Sequence, residues 1–193
     1  MTRLAPTLNM NRIFQQSTVL LILVFALVCG TAAQAQTVSS TDGGPDAIAK
    51  FLLNFGRFID WPASAFAAGT ESFNVCLLGE NHFGNKLESN LNGKKAGNRA
   101  FDVKHLAAGE TSQAKTCQIV YISASEETRV GEITAALAGA PVLTVGETDQ
   151  FPENGGMIGL AGERGDKIAI RMHRARIADA GMEVREQLLR AIQ

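Results

Sequence analysis

The sequence predicts an α/β domain: a three-layer sandwich on a mostly parallel sheet of about six strands, with helices on both faces and an antiparallel C-terminal hairpin. Two observations carry that reading. Continuous apolar runs such as Cys117–Ile122 (CQIVYI) and Pro141–Val145 (PVLTV) lack polar alternation, as strands buried on both faces do. Helical segments stand between such runs, so the order along the chain is α-β-α-β-β-α-β-β-β-α.

Residues 1–35 read as an export signal that is removed. Arg3 and Arg12 form a basic start, Val19–Val28 is unbroken apolar sequence, and Ala33-Gln34-Ala35 is a small-x-small cleavage site. A membrane-spanning helix needs about 20 apolar residues, and the run is too short for that. Cys29 leaves with the signal; lipid attachment there is disfavoured because bulky Val28 precedes it. Residues 36–45 are small and polar and are expected to form a flexible N-terminus, leaving 46–193 as a single domain.

The first helix is expected to begin at Pro45 or Asp46, since proline suits the first helical position and an acid suits the first turn. Ile48, Phe51, Leu52, Phe55 and Phe58 or Ile59 make its apolar stripe, which would place Phe58 and Trp61 in the core. Asp60-Trp61-Pro62 ends it, because a residue before proline is pushed out of the helical region. A strand over Phe73–Leu78 stops at Gly79, and a short helix follows over Phe83–Leu91. Asn92-Gly93 is a turn, and Arg99–Leu106 alternates as a half-exposed strand. Beyond the buried strand 117–122, Ser123 or Ser125 caps a helix running to about Leu137, with Glu126 and Glu127 in its first turn. After strand 141–145 and a loop over 151–156 come strands 157–161 and 167–172, joined by a hairpin turn at Gly162–Asp166. A last helix covers about Arg174–Ile192.

Composition excludes several functions. Behind the signal stand 16 basic and 19 acidic side chains, a mild net charge of −3. No basic stripe interleaved with aromatics is present, so nucleic acid is not an expected partner. Gly79–Lys86 (GENHFGNK) lies between a strand and a helix, but Asn85 stands where a phosphate loop needs lysine. His82, His105 and His173 lack metal-ligand spacing, and Ser123-Ala124-Ser125 lacks the glycines of a nucleophile elbow. Arg164-Gly165-Asp166 is explained as hairpin-turn sequence. No catalytic set emerges, and no cofactor is expected.

Two features remain. Removing Cys29 leaves Cys76 and Cys117, which a disulfide can join in an oxidising compartment if their strands are neighbours. Such a bridge is either an inert staple or a redox-sensitive one. Arg171, His173, Arg174 and Arg176 form a cationic cluster where the last strand meets the last helix. A helix N-terminus prefers anions, so this cluster suits an anionic ligand or an acidic partner surface, or else it is a solvated face. Arg171, His173 and Arg174 are the candidate ligand or partner residues.

Residues 49–62 (AKFLLNFGRFIDWP) resemble the first helix of the YfiR-like family of periplasmic proteins, which ends in Phe-x-x-Trp-Pro. Val75–Gly79, Cys117–Ser123, Pro141–Val145 and Gly155–Ile158 match further blocks in the same order, so the resemblance extends over about 46–192. It implies a non-enzymatic periplasmic regulator that binds an inner-membrane diguanylate cyclase, or a sensor kinase, and represses cyclic-di-GMP synthesis. It also implies an OmpA-type outer-membrane lipoprotein that sequesters the regulator, and a disulfide between Cys76 and Cys117. Some members carry a second bridge in the segment corresponding to 151–160, where this chain has no cysteine. The alternative function is a periplasmic sensor module for a small anion or amino acid. A homodimer is compatible with either.

Overall fold

The structure, a computed structural model, describes residues 44–148, 150–162 and 168–191. The expected export signal, the polar segment before Gly44, Arg164-Gly165-Asp166 and most of the hairpin turn lie outside the described residues. Helix α1 spans Gly44–Phe58, with Asp46 in its first turn and Arg57 in its last, each on the side its charge favours. It buries Ala49, Leu52, Leu53 and Phe55. Gly56 is required there: a Cβ would stand 2.5 Å from the Phe101 ring, so the helix could not lie this close to the sheet.

The main sheet contains β2 (Ser72–Leu78), β3 (Lys95–Ala96), β4 (Arg99–Leu106), β5 (Ile119–Ile122), β6 (Leu143–Gly146), β7 (Ile158–Gly162) and β8 (Ile168–Met172). Its order is β3-β4-β2-β5-β6-β7-β8. The four central pairings are parallel; β3 and β8 add antiparallel edges. Alternation along β2 divides the core. Phe73, Val75 and Leu77 face the layer of α1 and α2 (Lys86–Leu91), while Cys76 and Leu78 face the layer of α3 (Thr111–Ala114) and α4 (Val130–Leu137). Helices therefore cover both faces, as expected of a parallel sheet.

The structure corrects the sequence reading in several places. The C-terminal helix is not continuous. α5 (Arg174–Asp179) ends at Gly181, whose φ of +77° is a left-handed conformation suited to glycine. The chain then forms β9 (Glu183–Val184) and a separate α6 (Glu186–Ala191). β9 pairs antiparallel with β1 (Ile59–Asp60), a strand that the sequence reading also lacked. β3 and α3 are further additions; both are too short to show a periodicity. The expected helix over 83–91 starts only at Lys86, and Phe83 belongs to a turn in which its N–H donates to Asn81 Oδ1 at 2.9 Å. Cys117 precedes β5 instead of opening it. The Ser123–Leu137 helix starts as a 3-10 segment (Ala124–Arg129), and Ser123 makes no side-chain cap. Ser125 Oγ accepts from the Glu80 N–H at 3.0 Å instead.

Candidate functional site

Four places on this frame collect the chemistry. The first is internal. Cys76 and Cys117 are joined by a disulfide, with Cα atoms 6.0 Å apart. Both are buried, Cys76 in the middle of the central strand and Cys117 in the turn between α3 and β5. The bridge packs with Leu78, Leu106 and Val120, where an external reductant has no direct approach.

The second place is the carboxyl edge of the sheet. The connection from β2 runs through α2 to β4 on one side, and that from β5 runs through α4 to β6 on the other. Strand order thus reverses between β2 and β5, where parallel sheets open a crevice. Tyr121, fully buried, donates its hydroxyl to Glu147 Oε1 at 2.5 Å. His82 Nε2 lies 2.8 Å from the same oxygen, and its ring packs on Phe83 with centroids 4.3 Å apart. The bond to Glu147 raises the His82 pKa above its ordinary value, against the opposing effect of burial. Burial foremost, with Glu147 adding to it, pushes the Tyr121 phenol well above its usual range. Sequence reading weighed His82 only for metal-ligand spacing and missed this network, because its three members meet only through the sheet order.

The third place is the corner between β8 and α5, where the sequence suggested Arg171, His173 and Arg174. The structure places them apart along that corner. Arg171 is exposed on edge strand β8, and Arg174 is exposed on α5. His173 is the α5 cap: its Nδ1 accepts from the Arg176 N–H at 3.3 Å. Arg176, the fourth member of the cluster, has the structural environment instead. Its Nη1 donates to Gly156 O at 3.0 Å and also to Pro152 O. It lines a pocket of about 400 Å³ with Thr134, Leu137, Val142, Met157 and Asp179, a size in the range of small-molecule sites. No carboxylate among the described residues pairs with its charge.

The fourth place is a cleft of about 240 Å³ beside Trp61. Trp61 and Phe58 are half-buried against the core instead of enclosed in it. The indole stands edge-on to Phe73, with centroids 5.0 Å apart and planes at 89°. The Arg99 guanidinium lies 4.0 Å over the Phe66 ring, a cation–π arrangement. Arg57 Nε donates to Lys95 O at 3.0 Å. Arg185 Nε donates to Asp60 Oδ2 at 2.8 Å, and that guanidinium holds the Asp60 carboxyl below its usual range. The loop carrying Phe66 is fixed from within, because buried Gln118 donates to Ala65 O at 2.5 Å and accepts from the Asn74 N–H at 2.7 Å.

A family model described as YfiR/HmsC-like matches residues 46–191, nearly the whole span of the described residues. The chain belongs to the YfiR/HmsC-like family.

Proposed function

We propose that this family member is a non-enzymatic periplasmic regulator. It binds the periplasmic domain of an inner-membrane signalling protein, a diguanylate cyclase in the first instance or a sensor kinase, and represses cyclic-di-GMP synthesis. The family match over 46–191 carries this reading, since the family is one of periplasmic regulators of diguanylate cyclase signalling. Residues 1–35 act in it as the export signal, and 46–193 as the regulatory domain. A buried disulfide suits the oxidising compartment. Among the described residues no helix is long and apolar enough to cross a membrane. An OmpA-type outer-membrane lipoprotein is the expected competitor that relieves repression. Deleting the gene is expected to raise cyclic-di-GMP and biofilm; unchanged levels across growth conditions would sink the proposal.

A second reading, a small-ligand sensor, is favoured by the Arg176 pocket, with its braced and unneutralised guanidinium above an apolar floor. A thermal-shift panel of small anions and amino acids tests it. Stabilisation that Arg176→Gln removes supports it, and a flat panel ends it.

A further inference from the structure

We propose that the cleft beside Trp61 is the docking site for an acidic segment of the partner protein, a stretch that presents carboxylates around one aromatic or large aliphatic side chain. This rests on the regulator reading above and gives it a surface.

Charge is the first reason. The chain is acidic as a whole, with 18 basic and 19 acidic side chains, yet three arginines and one aspartate line this cleft. Arg185 is matched to Asp60. Arg57 and Arg99 have no carboxylate partner among the described residues: one is held by a backbone carbonyl and the other by a ring face. Two oriented guanidinium groups without counter-charge favour an incoming carboxylate and disfavour a basic segment.

Residue type is the second. Tryptophan and arginine dominate the energetics of protein interfaces, above all in pockets that close to water on binding. Here Trp61, Phe66 and Phe73 line the cleft together with the three arginines. The indole that lines this cleft is itself held edge-on against Phe73, so it meets a partner as a rigid aromatic surface.

Size is the third. About 240 Å³ is below the roughly 300–1,000 Å³ of small-molecule pockets and has room for one or two side chains. The Arg176 pocket, at about 400 Å³, lies elsewhere and is lined by different residues.

Trp61 is the sole tryptophan of the chain, so its fluorescence reports on this cleft directly. The protein, in the form its own cells accumulate, is titrated with a tryptophan-free peptide, Asp-Glu-Phe-Glu-Asp. Lys-Arg-Phe-Arg-Lys and phosphatidylglycerol vesicles serve as comparisons. A saturable change in emission with the acidic peptide alone is expected, weakened about tenfold or more in 0.5 M salt and in Arg57→Glu or Arg99→Glu. Arg57→Gln, at an exposed position, serves if a charge reversal fails to fold. No response up to millimolar peptide, an equal response to the basic peptide, a response to vesicles alone, or indifference to the arginine substitutions would each overturn the proposal. In cells, the Arg57→Glu/Arg99→Glu chain is expected to accumulate normally and lose repression. If it represses as the wild type does, the cleft is refuted while the regulator reading stands. If deletion of the gene leaves cyclic-di-GMP unchanged, the regulator reading falls whatever the peptide does.

Discussion

Ile59 and Val184 face each other across an antiparallel pair, although 125 positions separate Asp60 from its own partner Arg185 one step further on. The end of the first helix is thus closed by the return of the C-terminal segment. The Arg185 N–H donates to Phe58 O at 3.0 Å and completes the clasp.

That return depends on Gly181. With φ at +77° and Pro62 Cγ 3.4 Å from where a Cβ would sit, the position favours glycine by conformation more than by space. Gly181→Ala is expected to cost about 1–2 kcal/mol, the usual penalty of a side chain in the left-handed region. Urea denaturation measures it; unchanged stability would show that the clasp forms without this turn.

The disulfide is expected to behave as a staple. It closes a 41-residue separation. The chain-entropy model assigns such a loop about 4 kcal/mol, an upper value. The Cys76→Ala/Cys117→Ala chain should melt well below the wild type. Because both sulfurs are buried, the native bond should resist dithiothreitol until denaturant is added. Free thiol appearing rapidly in native buffer would instead indicate a redox-responsive bridge.

Phe151 fills its site because two positions facing it have no side chain. A Cβ on Gly146 or on Gly156 would fall within the ring. Gly156→Ala must displace a buried aromatic and is expected to cost about 1–3 kcal/mol, as overpacked cores do. Thermal melting decides, and a loss below about 0.5 kcal/mol, the usual scale of an inert surface change, would show that the ring moves freely.

How far the sequence reaches follows from which forces act locally. Strands β2, β4, β5 and β6 are legible because burial on one or both faces writes itself into Phe73–Leu78, Arg99–Leu106, Ile119–Ile122 and Leu143–Val145. The two-residue strands β1, β3 and β9 are not, since pairing alone creates them and two residues have no period. The break after α5 had a signal, Ala180-Gly181, but the apolar residues Ile177, Val184 and Leu188, at i, i+7 and i+11, kept a helical spacing across it. The cationic cluster was legible as a group, but not the different surroundings of its members: Arg171 and Arg174 are exposed, His173 caps α5, and Arg176 lines the pocket. The Trp61 cleft was hidden because a half-buried aromatic at the end of an apolar stripe reads as core.

The His82–Glu147 contact makes stability depend on pH in a defined direction. The folded-state pKa of His82 is raised, chiefly by its bond to Glu147, so the folded chain holds this proton more tightly than the unfolded chain. The stabilisation is fully present below the ordinary histidine value of about 6.5 and is lost as pH rises through the higher folded value. Tyr121 does not titrate in this window, because its phenol is shifted upward; it goes on donating to Glu147 throughout. The melting-temperature gap between wild type and His82→Gln is therefore expected to be larger at pH 6 than at pH 8.5. Glu147→Gln should remove most of that pH dependence. About a third of the His82 side chain is exposed, so solvent screening keeps the effect small, and an NMR titration of the imidazole is the more sensitive measurement. An imidazole that titrates at or below 6.5 in the folded chain would show that the Glu147 contact does not hold in solution.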